Sequence, residues 1–207
     1  MDWLRRLGRE PTAEAPEPGE EAPEGIERTT AGMMEFFRGV SENRPLAVLD
    51  LAGAAQSSLE VHSRFARWIR FADLVGDTSG PEGWKSVLKE LPSPIEPPYD
   101  LVLAWDILDS IPPRERPLLM ERLAEITGPD ARLHMVIHPS QVAAARPLRF
   151  TLVDVDRMRF EPVGLPRATW PPILPAEVER LLPPFRVVRA FTSKVGFREY
   201  VAVRGAG

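Results

Sequence analysis

Three acidic residues stand at or just beyond the ends of apolar runs. Asp50 closes the run Pro45 to Leu51 (PLAVLDL), Asp73 follows Trp68 to Ala72, and Asp106 follows Tyr99 to Trp105 (YDLVLAW). Short continuous apolar runs of this kind read as buried parallel strands. A carboxylate at the carboxyl end of such a strand can accept a pair of ribose hydroxyls, and charge-assisted bonds of that type are about twice as strong as neutral ones. Between Pro45 and Asp73 the pattern runs strand, small-residue turn, helix, strand, within the roughly thirty residues of a βαβ unit. A nucleotide cofactor would sit at its strand ends. Local alternatives stand beside this reading: Asp50 can cap loop amides, and Asp73, Asp106 and Asp109 can serve as turn residues. The loop after the first acid, Ala52-Gly53-Ala54-Ala55-Gln56, is small up to the bulkier Gln56.

Composition narrows the remaining chemistry. The chain has no cysteine, which excludes disulfides, thiolate metal sites and cysteine nucleophiles, and imidazole can come only from His62, His134 and His138. No metal is expected. His138 lies just beyond the expected strand Ala131 to Ile137 and can deprotonate a hydroxyl or an amine, unless it is simply a loop histidine before Pro139. His62 and His134 fall within a helix and a strand and read as structural. A net charge of -4 gives no general attraction to nucleic acid. No window reaches the length of a membrane span and no secretory signal is evident, so a cytoplasmic location is expected.

Elements must hold these groups in place. With 43% hydrophobic and 27% charged residues, 207 residues suit one soluble domain preceded by a tail. In residues 1–25, Glu10 to Gly25 is rich in Pro, Glu, Ala and Gly, cannot offset its ordering entropy and reads as a disordered linker. Ahead of it, Trp3, Leu4 and Leu7 beside Arg5 and Arg6 make a short patch that either docks a protein partner or a membrane surface, or frays. The domain is expected over 26–207. Met33, Met34, Phe36 and Phe37 predict a covering helix within 26–42. Ser57 or Ser58 is expected to cap the helix through Leu59, Val61 and Phe65. A short helix is expected over Trp84 to Leu91. Pro112 and Pro113 introduce a helix over Arg114 to Ile126 with Leu118, Leu119, Leu123 and Ile126 on one face. A helix over Pro175 to Leu182 and strands over Phe185 to Phe191 and Phe197 to Val203, joined by a glycine turn, complete the pattern. Residues 139–172 form an added segment containing Arg146, Phe150, Arg157, Arg159, Phe160 and Trp170, with Leu148 to Val155 extended. Its arginines and aromatics either bind an acidic or planar substrate or pack the segment onto the sheet.

The series VLDL, small loop, YDLVLAWDILDSIP, helix, GPDARLHMVI and terminal hairpin resembles class I S-adenosylmethionine-dependent methyltransferases from Pro45 onwards. The resemblance implies an α/β, Rossmann-like three-layer sandwich: a mostly parallel sheet with a C-terminal antiparallel hairpin strand. The interval from Asp73 to Tyr99 implies shortening at the edge-strand side. It further implies S-adenosylmethionine as methyl donor, held by Asp50, Ala52, Gly53, Ala54, Gln56, Asp73 and Trp105, with Asp106 and His138 towards the acceptor. The family's repeated glycines are mostly replaced by alanine here, whose methyl group restricts positive φ and close approach to a ligand. Two functions follow. One is methyl transfer to a small molecule or protein, which needs an in-line nucleophile near ~3 Å rather than an invariant base. The other is a non-catalytic relative acting as a binding or regulatory module. A nucleic-acid acceptor is disfavoured by the absence of an Asn/Asp-Pro-Pro-aromatic run, and a dehydrogenase by the absence of Gly-x-Gly-x-x-Gly.

Overall fold

The computed structural model describes residues 25–74, 88–94, 97–139, 147–163, 170–193 and 196–205. The expected tail, its partner patch, Arg146 and the first half of the expected helix over Trp84 to Leu91 lie outside the described residues.

Where a single covering helix was expected, the chain forms a strand, β1 (Ile26–Thr29), and then a shorter helix, α1 (Ala31–Phe36). The boundary is Thr30, whose backbone is extended and whose hydroxyl accepts the Met33 N–H, an N-cap that starts the helix there. The chain continues through β2 (Leu46–Asp50), α2 (Gln56–His62), β3 (Ala66–Phe71) and β4 (Tyr99–Leu103). Helices α3 (Ile107–Ser110) and α4 (Arg116–Ile126) flank a 3-10 turn at Pro113–Glu115 and lead into β5 (Thr127–Ile137). Then come β6 (Leu148–Asp154), β7 (Arg157–Pro162), α5 (Pro175–Leu181), β8 (Phe185–Thr192) and β9 (Arg198–Arg204).

Six strands form one sheet in the order β3-β2-β4-β5-β9-β8. The first four are mutually parallel, and β9 and β8 close the sheet as an antiparallel pair. Among the described residues β3 is the outer strand on that side, and most of the interval from Asp73 to Tyr99 lies outside them. Neighbouring strand residues point to opposite faces. Leu49, Val102 and Leu133 face Leu119 and Leu123 of α4 and Val178 of α5, while Val48, Leu101, Val136 and Val201 face α1 and a second, smaller sheet. The result is a three-layer sandwich. The smaller sheet, β1-β7-β6, is antiparallel, so β1 pairs with a partner far along the chain (Glu27 opposite Arg159).

Two local expectations are corrected. Helix α2 begins at Gln56 with Ala55 in the N-cap position and no side-chain cap, because Ser58 is turned inward to another use described below. On α4 the buried stripe is Arg116, Leu119, Met120, Leu123 and Ile126, and Leu118 is exposed, since the helix takes its phase from the preceding 3-10 turn.

Candidate active site

The chain leaves β2 for β3 on one side and later returns to β4 on the other, so the carboxyl ends of β2 and β4 flank the switch point where doubly wound sheets bind ligands. Asp50 at the tip of β2 is only 1% exposed. Its Oδ1 accepts the Ala52 N–H at 3.1 Å and the Trp105 indole N–H at 2.9 Å, and its Oδ2 lies 3.1 Å from His62 Nε2. Asp50 therefore caps its loop and ties that loop to the end of β4 and to α2. The loop keeps one glycine where geometry demands it. Gly53 has φ +86, and a Cβ there would come within 3.2 Å of the Asp73 carboxyl carbon.

Asp73, bridged through its backbone to Ala52, has a side chain 50% exposed and 3.7 Å from the Arg149 guanidinium. Beside it Ala54, Ala55, Gln56, Leu59, Ile69 and Phe71 line an open groove of about 350 Å³. Of the sequence-predicted cofactor residues, Ala54 and Gln56 line the groove, Ala52, Gly53 and Asp73 meet one another next to it in the chain, and Asp50 and Trp105 are buried.

The region expected to face the acceptor is closed. Trp105 is 2% exposed, Asp106 0% and His138 4%. Asp106 Oδ2 accepts the Leu148 N–H at 3.3 Å and lies 3.9 Å from His138 Nε2, and the His138 N–H donates to Asp109 Oδ2 at 2.8 Å. The structure thus brings Asp106, Asp109 and His138 together. Above them runs β6. Its Phe150 ring stacks on Trp105 with centroids 5.2 Å apart and planes 6° apart, its Leu152 N–H donates to Ser58 Oγ at 2.9 Å, and Asp154 meets Arg64 at 2.7 Å. The described part of the added segment packs onto the sheet through Phe150, the second of the two roles expected for its aromatics.

A second buried polar cluster lies behind Trp105. Thr30 Oγ1 donates to Glu199 Oε2 at 2.7 Å, and His134 Nε2 is 3.3 Å from the same oxygen. The sequence reading missed Arg149 and Glu199 and gave Ser58 a capping role in place of its bond to Leu152. Ser58 and His62 lie one turn apart beside Val61 on the buried face of α2, a helical spacing that was visible, but a polar residue on such a face does not reveal its partner. Among the described residues no group of three or more His, Cys, Asp or Glu is arranged to hold a metal ion, and no helix is long and apolar enough to cross a membrane.

No protein-family model matches the sequence, and no curated protein matches it. Solved structures do match the fold. One is the Burkholderia thailandensis 1,6-didemethyltoxoflavin-N1-methyltransferase with bound 1,6-didemethyltoxoflavin and S-adenosylhomocysteine, at 18% identity and a TM-score of 0.50 over 84% of this chain and 77% of that one. Another is the N-methyltransferase NodS from Bradyrhizobium japonicum, at 8% identity and a TM-score of 0.50 over 84% of this chain and 94% of that one. With its strand order and terminal antiparallel pair, this chain has the class I methyltransferase fold.

Proposed function

We propose that the chain binds S-adenosylmethionine and transfers its methyl group to a small-molecule or protein acceptor. The observation that carries this reading is the open groove of about 350 Å³ lined by Ala54, Ala55 and Gln56 at the start of α2, with the half-exposed Asp73 carboxylate beside the neighbouring Gly53. The residues present fit such a donor. Gly53 leaves at its Cα a space that a methyl group would fill against Asp73, and Ala54 to Gln56 offer backbone amides at the start of α2. In this reading Asp73 accepts the ribose hydroxyls, while Ile69, Phe71 and Leu59 give an apolar floor. The bound donor supplies an electrophilic sulfonium methyl group. The chain supplies position: Asp106 and His138 sit on the acceptor side, where either can take the proton that a hydroxyl or amine loses on methylation.

Calorimetry with S-adenosylhomocysteine tests the reading, and Asp73→Ala should weaken binding by about 1.5–3 kcal/mol, the net worth of hydrogen bonds to a charged group. An absence of binding at millimolar ligand would overturn it. A second reading, a non-catalytic binding or regulatory module, is favoured by one feature, the burial of Trp105, Asp106 and His138 beneath β6. It predicts no S-adenosylhomocysteine binding by the unaltered chain or by Asp73→Ala.

A further inference from the structure

Strand β6 brings two groups to the acceptor side in the arrangement of a ligand. The Phe150 ring lies nearly parallel on the Trp105 indole, and two residues earlier the Leu148 backbone N–H points at Asp106 Oδ2. Its neighbours are tilted or edge-on: Phe150 meets Phe197 at 78° and Phe160 at 36°, and Trp105 meets His134 at 71°. Among the described ring pairs Trp105 with Phe150 is the one parallel stack, inside an otherwise interlocked cluster. The Leu148 and Leu152 N–H groups belong to the outer edge of β6, which no other strand pairs among the described residues. They bond side chains, Asp106 and Ser58, and neither bond is part of a sheet ladder.

We propose that Phe150 and the Leu148 amide fill the acceptor subsite, and that the acceptor is a planar aromatic or heteroaromatic molecule bearing an O–H or N–H at its edge. Such a molecule replaces the Phe150 ring on Trp105 and the Leu148 N–H on Asp106. The inference rests on methyl transfer at this site. In that reaction the acceptor's O–H or N–H bond breaks and its proton passes to the Asp106 carboxylate. The freed oxygen or nitrogen takes the methyl group, the S–CH₃ electron pair stays on sulfur, and S-adenosylhomocysteine leaves. Because β6 competes for the subsite, apparent affinity is the intrinsic affinity reduced by the fraction of molecules in which the subsite is open.

Three probes separate the two features of the ligand: 2-naphthol, planar with a donor; 2-methoxynaphthalene, planar without one; and decahydro-2-naphthol, a donor without a plane. On the full chain, 2-naphthol should shift the Trp105 indole N–H resonance and speed hydrogen exchange at the Leu148 amide. The other two should bind about ten- to a hundredfold more weakly, the methoxy compound for want of a hydrogen bond to a carboxylate and the saturated one for want of a stack. Phe150→Ala should bind 2-naphthol about tenfold more tightly than the unaltered chain, with Phe150→Leu giving the same direction should the alanine variant fail to fold. Equal binding of all three probes, or 2-naphthol binding with unchanged Leu148 exchange, would overturn the subsite while heat on adding S-adenosylhomocysteine kept methyl transfer standing. Displacement of β6 by 2-naphthol in a chain that takes no S-adenosylhomocysteine would overturn the acceptor role together with methyl transfer.

Discussion

Replacing Asp50 by alanine should destabilise the protein severely, although the residue sits where a cofactor ligand was expected. The variant leaves two buried donors without an acceptor, the Ala52 amide and the Trp105 indole N–H. Each orphaned buried donor costs about 1–3 kcal/mol, so the pair costs about 2–6 kcal/mol even with the His62 contact counted as nothing. Against a typical domain stability of about 5–15 kcal/mol that is a large fraction, equivalent to a fall in Tm of roughly 5–20 °C for a chain of this size. Asp50→Asn keeps Oδ1 as acceptor for both donors and should lose only the increment of a charge-assisted over a neutral bond, about 1–2 kcal/mol. Urea unfolding followed by tryptophan emission and far-ultraviolet circular dichroism, with the slopes compared to confirm a common unfolded state, measures both. An alanine variant within about 0.5 kcal/mol of the unaltered chain would refute the reasoning, as would an asparagine variant no better than alanine. Since Asp50 is buried, Asp50→Asn should also leave S-adenosylhomocysteine affinity close to its original value, in contrast to Asp73→Ala.

Two other perturbations test the packing around the site. A Cβ at Gly32 would lie 2.1 Å from Glu199 Oε2 and 2.8 Å from Glu199 Cβ, so Gly32→Ala should cost about 1–3 kcal/mol or more by overpacking and by displacing the Thr30–Glu199 bond. A thermal midpoint equal to that of the unaltered chain would contradict it. The Asp154 carboxyl is held below the ordinary carboxylate range, chiefly by the Val155 amide N–H and then by Arg64. A carboxyl whose pKa is lowered in the folded state contributes stability that is fully present above the unfolded value near 3.8 and is lost as pH falls through the folded value. The stability gap between the unaltered chain and Asp154→Asn should therefore be constant around neutrality and close in acid. Urea titrations at about pH 7 and about pH 3 check the sign, and a gap that widens in acid would contradict it.

The sequence by itself determined the central sheet and the places where acids meet its edge. Strands buried on both faces must be apolar nearly throughout, so PLAVLDL and YDLVLAW announced β2 and β4, and chain order placed Asp50, Asp73 and Asp106 at the carboxyl tips. The terminal pair β8 and β9 was legible for a related reason, because a hairpin is specified by neighbours along the chain. Pairings between distant segments were not legible. Ile26–Thr29 became a strand rather than the start of a helix because its ladder partner is β7, and no local pattern in 26–42 encodes a partner more than a hundred residues away. The site divides in the same way. That Asp50 could cap its own loop followed from adjacency. That it also holds Trp105 and His62 depended on how β4 and α2 pack, and so did the meeting of Phe150 with Trp105 and of Leu148 with Asp106. Residue type and local spacing fix what a group can do; burial and partners, which decide whether it faces solvent, a ligand or the protein's own strand, arise only when elements distant in sequence close on one another.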